Sequence, residues 1–327
     1  LLIGLSKPNR QTRGEAMSWR NSEHGEWEMT DLSPSKLSKW MTCPKQFEYQ
    51  YIIHATSHSG LAMLQGSSLH DVVLEEYLQD GEQNIEALIE LMELDLRERI
   101  ADSDPRDYKS GKKVDVLEIE ACIEAIRIWG KGLLEAFRDG KDSYDNKFDA
   151  PKVVATEIEK KPLEVILPKS QMTIRIRGFI DYIDEDGVPG DLKLASNYYK
   201  AVWTVARAIT QVQAIMYRML LGGPGPFEYL IVDKKQNQKR QAFAPTIRKI
   251  RFEVTQRDID RVIDTLDAFV TQTDLANNYE NGFFPPIPEY NGETKADAGK
   301  NERNFCGKLC SFKEICYKEN FAPPGDE

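Results

Sequence analysis

Residues 175–193 (R-I-R-G-F-I-D-Y-I-D-E-D-G-V-P-G-D-L-K) constrain this chain more than any other stretch. Apolar residues recur at Ile174, Ile176, Phe179, Ile180 and Ile183 with polar ones between them, the period of a half-buried strand. Glu185, Asp186 and Gly187 then make an acidic glycine turn, and Val188 resumes the pattern ahead of Pro189 and Gly190. The spacing predicts a β-hairpin. Asp181 falls near the end of its first strand, while Asp191 and Lys193 fall on its second. Residues i and i+2 of a strand point to one face, so Asp191 and Lys193 share a face and the hairpin can bring Asp181 beside them. Two carboxylates and an ammonium on a sheet surface can hold a divalent metal next to an activated water. The same residues also suit a plain solvated hairpin.

The rest of the chain supplies the context. Ser33 caps a predicted helix with Pro34 in its first turn, and Leu37, Trp40 and Met41 follow at helical spacing. Pro44 interrupts that helix and leaves the Cys43 thiol exposed at a corner. Gly66, Ser67 and Ser68 open the next helix, with His70, Leu74 and Tyr77 on one face. A histidine so placed is either a hydrogen-bonded core residue or a ligand. Further helices are expected over 88–100 and 114–137, the second with Cys122 packed in its apolar face, and 139–146 reads as a polar linker. Strand periodicity begins at Val153. A helix over 198–221 carries Gln213 and Tyr217 four residues apart, hence neighbours on its surface. Glycines 222, 223 and 225 end it; strands over 227–232 and 250–254, a helix over 257–269 and an irregular tail follow.

This order predicts an α/β (α+β) fold with one central mixed sheet of about five strands flanked by helices. It divides into an N-terminal extension or tag remnant (1–30, with Met17 as the start residue), a helical region (31–150), the sheet-bearing core (151–275) and a C-terminal loop and cysteine tail (276–327). With 29% charged and 41% hydrophobic residues and no bilayer-length apolar run, the composition is that of a soluble globular protein. The N-terminus has too short an apolar core for a secretory signal, so the cytoplasm is the expected compartment. A net charge of −10 argues against indiscriminate coating of nucleic acid but leaves room for a local basic channel. Basic pairs stand at Lys234 and Lys235, Lys239 and Arg240, and Arg248 and Lys249 with Arg251 nearby; solvated strand ends explain them equally well.

Three cysteines crowd the tail at Cys306, Cys310 and Cys316. In a chain expected to be cytosolic they point to metal rather than disulfides. A four-thiolate site needs one more ligand, and Cys43 at its proline corner is a better candidate than Cys122 inside a helix. Four thiolates suit a structural zinc or an iron–sulfur cluster. The spacing, unlike paired knuckles, favours a cubane [4Fe–4S] cluster; unrelated cysteines are the bland alternative.

Taken in order, these segments resemble the RecB-like nucleases of the PD-(D/E)xK group. They are most similar to the iron–sulfur branch that includes CRISPR-associated exonucleases, the AddB nuclease domain and phage relatives. The likeness rests on S-P-S-K-L-S-K-W-M-T-C-P from Ser33, G-S-S-L-H from Gly66, G-F-I-D from Gly178, D-L-K from Asp191, Q-A-I-M-Y from Gln213 and the tail cysteines. Each motif is weak alone; six in order are specific. The C-x3-C tail spacing departs from the commoner C-x2-C, and Asp191 stands where Glu is frequent.

The resemblance implies a restriction-endonuclease-like core in which His70, Asp181, Asp191 and the Leu192 carbonyl ligate Mn²⁺ or Mg²⁺. Lys193 would orient or deprotonate the attacking water, Gln213 and Tyr217 would position the Lys193 region or the DNA backbone, and Cys43, Cys306, Cys310 and Cys316 would hold the cluster. Glu157 is a further acidic candidate in the preceding strand. The implied activity is a metal-dependent DNA exonuclease, on single-stranded DNA with 5′→3′ preference, in recombination or repair. Its implied partners are DNA ends and a helicase or recombination protein, with homo-oligomers also compatible. The rival readings are a catalytically weak DNA-binding scaffold or helicase partner and a zinc-stabilised endonuclease.

Overall fold

The computed structural model describes residues 20–21, 27–28, 31–55, 59–81, 84–103, 105, 113–196, 203–237, 241–278, 312, 315 and 316. Two short strands, β1 (Arg20–Asn21) and β2 (Trp27–Glu28), pair ahead of helices α1 (Pro34–Thr42), α2 (Pro44–Tyr51), α3 (Leu61–Asp71), α4 (Ile85–Ser103) and α5 (Val116–Asp139). Strands β3 (Val153–Glu159), β4 (Leu163–Ile166), β5 (Thr173–Ile176), β6 (Phe179–Asp184) and β7 (Pro189–Ser196) come next. Helices α6 (Val205–Ala208) and α7 (Val212–Leu220) then lead to β8 (Gly225–Gln236), β9 (Ala242–Val254) and α8 (Gln256–Asn278).

Five of these strands form one mixed sheet in the order β3-β6-β7-β8-β9. Only the β7–β8 pair is parallel, as expected for two strands joined through helices α6 and α7. The β8 sequence explains why that strand lies inside the sheet. Phe227, Tyr229 and Ile231 pack into one core with α7, α8 and α1, while Leu230 and Val232 pack into a second core with α3, α4 and α5. A strand buried on both faces needs a continuous apolar run. The sheet is therefore sandwiched between two helical layers, in agreement with the α/β expectation. No helix among the described residues is long and apolar enough to cross a membrane.

Several local expectations change. The alternation from Ile174 to Ile183 is split: β5 pairs with β4 in a separate two-stranded sheet, and β6 begins anew after Arg177 and Gly178. The helix carrying His70 starts at Leu61, since residues 61–65 favour helix and carry it through Gly66. Past His70 it widens to a π-helix over Val72–Gln79, which takes Leu74 and Tyr77 off the face predicted from a 3.6-residue period. The predicted helix over 198–221 is broken at residues 209–211, between α6 and α7, and its first residues lie outside those described. Residues 139–146 form an ordered turn in which buried Asp142 accepts from the Tyr144 and Asn146 amides at 2.9 and 3.0 Å. Cys43 does interrupt the α1–α2 pair as expected, in extended conformation, but its side chain is only 5% exposed rather than open at the corner.

The hairpin turn is confirmed, with Asp184 Oδ1 accepting from the Asp186 and Val188 amides. Its second strand needs a glycine. A Cβ at Gly190 would sit 2.0 Å from the Tyr182 ring, and Tyr182 is fully buried with its hydroxyl on Glu228 at 2.9 Å. Gly190→Ala is expected to destabilise the protein by about 3 kcal/mol through overpacking and loss of that hydrogen bond. Urea denaturation measures it, and adding Tyr182→Leu should recover part of the loss.

Candidate active site

Strands β6 and β7 pair for only two residues. Tyr182 stands opposite Gly190 and Ile183 opposite Pro189, and the register goes no further. Beyond it the Leu192 amide, which would otherwise meet a β6 carbonyl, donates to Asp181 Oδ2 at 2.8 Å. The carboxylate thus fills the opening where the strands part. Successive residues of one strand alternate faces, so Asp191 and Lys193 turn toward α7 and Leu192 toward the α3–α5 layer.

Asp191 is almost wholly buried. Lys193 Nζ stands 2.6 Å from its Oδ2, close enough to pair but off the line of a hydrogen bond. From α7, Gln213 Nε2 donates to Asp191 Oδ1 at 2.5 Å and to the Tyr217 hydroxyl at 3.1 Å. The two α7 residues are one turn apart, so a single helix face delivers both. The Tyr217 ring in turn lies on Gly178, where a Cβ would come within 2.8 Å of it. That contact explains why a glycine precedes Phe179, Ile180 and Asp181.

His70 arrives from the opposite layer. Its Nε2 is 2.9 Å from Asp181 Oδ2, and its Nδ1 is 3.4 Å from both Asp71 Oδ1 and Glu157 Oε1. Behind it Arg99 holds Asp71 at 2.5 Å and Asp95 at 2.5 Å, so the imidazole is braced by an ion-paired relay from α4. Glu157 has φ of +48°, in the left-handed region that a non-glycine residue seldom adopts within a strand. Sequence reading missed Asp71, Asp95 and Arg99. The available signal was Asp95, an acidic residue between Met92 and Leu96 on the buried face of α4.

Electrostatics follow from this crowding. Burial, then the neighbouring Asp181 charge, pushes the Asp191 carboxyl up to about 7 against the opposing pull of Lys193. Burial alone would lower His70, but the charge and hydrogen bond of Asp181, aided by Asp71 and Glu157, raise it to about 11. The Lys193 ammonium, although burial opposes it, is held above its usual value by Asp191 and Asp181. Two buried carboxylates are therefore balanced by two internal cations. Among the described residues no three His, Cys, Asp or Glu side chains form a ready-made metal cage.

The remaining predicted residues are more scattered. Cys43 is the N-cap of α2, and buried Cys316 packs with Tyr49 of that helix and with Phe312. Cys306 and Cys310 lie outside the described residues. Cys122 is core packing as expected, with burial raising its thiol to about 12. The basic pairs make local contacts: Lys235 lies over the Tyr144 ring, Arg248 on Asp233, and Arg251 near Asp184 and Asp186. Lys239 and Arg240 lie outside the described residues.

A family model described as PD-(D/E)XK nuclease superfamily matches residues 31–317. The chain belongs to that superfamily. Membership implies a metal-dependent nuclease with DNA as substrate, and the five-stranded mixed sheet is consistent with a restriction-endonuclease-like fold. No curated protein matches the chain. Among solved structures, the one titled "Crystal structure of SSO0001" is 10% identical, covers 88% of this chain and 86% of its own, and superposes with a TM-score of 0.33.

In this nuclease the raised Asp191 pKa carries a stability signature. The folded state binds that proton more tightly than the unfolded chain, whose carboxyl has its ordinary value near 3.8. The stabilisation is full below that ordinary value and is lost as pH rises through about 7. Urea melts in chelator at about pH 5 and about pH 8 should show a loss on the order of 2 kcal/mol. Asp191→Asn should reduce that slope, the remainder coming from His70, whose raised pKa acts in the same direction above its ordinary value of 6.5; an unchanged slope would remove the assignment.

Proposed function

We propose that this chain is a Mn²⁺- or Mg²⁺-dependent deoxyribonuclease of the RecB-like iron–sulfur branch that shortens single-stranded DNA from an end, with 5′→3′ preference. The observation that carries the reading is the convergence, in one opening between β6 and β7, of Asp181, Asp191, Lys193 and His70 from three different elements. A solvated hairpin has no reason to bury two carboxylates side by side.

The donor set fits the metal. His70 Nε2, the Asp181 and Asp191 carboxylates and the Leu192 carbonyl offer hard oxygens with one imidazole, a set that suits Mn²⁺ somewhat better than Mg²⁺. Asp191 Oδ2 is buried and turned to the Lys193 ammonium at 2.6 Å, so this oxygen already sits in a cation-holding position. A divalent ion held there would polarise the scissile phosphate and acidify a water.

The chain's own groups divide the remaining work. Lys193, 29% exposed beside Asp191, faces the groove and supplies a fixed positive charge for the phosphate and for orienting the attacking water. Gln213 fixes the Asp191 carboxylate, Tyr217 fixes Gln213, and Gly178 lets Tyr217 approach. The Asp71–Arg99–Asp95 relay sets the His70 ring, as outer partners of a ligating histidine commonly do.

The [4Fe–4S] part of the proposal assigns Cys43, Cys306, Cys310 and Cys316 as ligands. It is supported by the burial of Cys316 against α2, the helix that Cys43 begins. In this reading residues 31–150 and 276–327 are joined by the cluster around the 151–275 core, and DNA ends, with a helicase or recombination partner, are the setting.

The deciding experiment incubates end-labelled single-stranded DNA with the full chain and Mn²⁺, beside an Asp191→Ala variant. The parent should shorten the DNA from its 5′ end, and the variant should lose at least about a thousandfold in rate while keeping its fold. Visible absorbance with iron and zinc analysis reads the cluster independently. Equal cleavage by Asp191→Ala would sink the active-site assignment, and zinc without iron would replace the cluster by a structural zinc.

A further inference from the structure

Helix α1 has two faces with different neighbours. Leu37 is fully buried, and Trp40 turns its ring edge-on to Phe269 while its indole N–H donates to Gln272 at 2.7 Å. Ser35, Ser38, Lys39 and Thr42 occupy the other face at helical spacing. That polar face forms one wall of a groove of about 550 Å³ whose far side is Phe179, Lys193, Gln213 and Tyr217. The groove is continuous with the site and falls in the size range of ligand sites.

Two of its features call for a ligand. Gln46 lines the groove from α2 with only 4% exposure, and its amide oxygen has no hydrogen-bond partner. A buried unmet carboxamide costs folding free energy unless something pairs with it. Phe179 is 45% exposed although it stands two residues before Asp181, and its ring is backed by the Arg177 guanidinium at 5.7 Å. An exposed aromatic on a sheet strand beside a phosphate-cleaving site has the form of a stacking platform.

We infer that this groove binds the DNA strand on one side of the scissile bond as a single, unpaired strand. Lys39 and Ser38 take backbone phosphate oxygens, a nucleobase stacks on Phe179, and the Gln46 carboxamide pairs with the nucleotide between them. Phosphate contacts position the strand, and the aromatic contact selects a base whose face is free. A paired base is already stacked and cannot lie on Phe179 without being unstacked first. The inference rests on the nuclease reading of the adjacent site, but binding can be measured without cleavage.

The test uses the full chain in chelator, so that nothing is cut. Fluorescence anisotropy of a labelled single-stranded oligothymidylate of about twelve nucleotides gives Kd for the parent, Lys39→Glu, Phe179→Ala and a control, Lys152→Glu. Lys152 is a largely exposed residue paired with Glu185, away from the groove residues, and its replacement makes the same charge change. Lys39→Glu and Phe179→Ala should each raise Kd at least about tenfold, Lys152→Glu less than about twofold, and Lys39→Gln should lower the salt slope by about one. Melting temperatures check that each variant is folded.

Parent-like binding by both groove variants, or an equal loss in Lys152→Glu, overturns the inference. So does a parent that binds no DNA. A duplex of the same length that binds as tightly, through the same residues, overturns the single-strand assignment. Loss of binding in the groove variants, with a parent that never cleaves in Mn²⁺, leaves the groove standing and removes the nuclease reading instead.

Discussion

The hydrogen bond from the Leu192 amide to Asp181 occupies the place of a β-ladder rung, and the site is built around that substitution. A backbone carbonyl there would have continued the sheet and closed the gap between β6 and β7. A carboxylate keeps the amide satisfied while the strands separate, and it leaves an anionic edge inside the sheet. Asp191, one residue before Leu192 on β7, is forced close to that charge and must be balanced. Lys193 supplies one cation and His70 the other, so each strand position beside the opening has a defined chemical task.

This arrangement works against stability. Two carboxylates held out of water cost free energy that internal cations return only in part. Packing elsewhere compensates: apolar layers on both sheet faces bury Phe227, Tyr229, Trp129 and Phe269. The geometry is also rigid where it matters. Gly190 is fixed by the Tyr182 ring and Gly178 by Tyr217, so two glycines set the strand ends that carry Asp191 and Asp181. The strained φ of Glu157, across β3 from the Asp181 strand, belongs to the same concentration of conformational cost around the opening.

Much of this was legible in the residues. The hairpin, the shared face of Asp191 and Lys193, the helix carrying Gln213 and Tyr217 and the five-stranded sheet follow from period, turn chemistry and spacing, which are local signals. What escaped was set by tertiary contact. The π-helix after His70 arises in packing against α4 and β3, and no 3.6-residue pattern encodes it. The split between β5 and β6 goes with a bridge from Leu32 to Ile176, a partner distant in sequence that no local pattern announces. Asp71, Asp95 and Arg99 acquire meaning only once α3 and α4 lie side by side, since charged residues on a helix are usually solvated.

The central claim is that the opening between β6 and β7 is a divalent-cation site, and the most direct measurement maps where such an ion binds. Full-length protein loaded with Fe²⁺ and treated with ascorbate and peroxide is cut by locally generated radicals wherever the ion resides. The account predicts breaks near His70, Asp181 and Asp191, suppressed by excess Mn²⁺ and lost in Asp181→Ala. No cutting near these residues, or cutting there that persists unchanged in excess Mn²⁺, would contradict it.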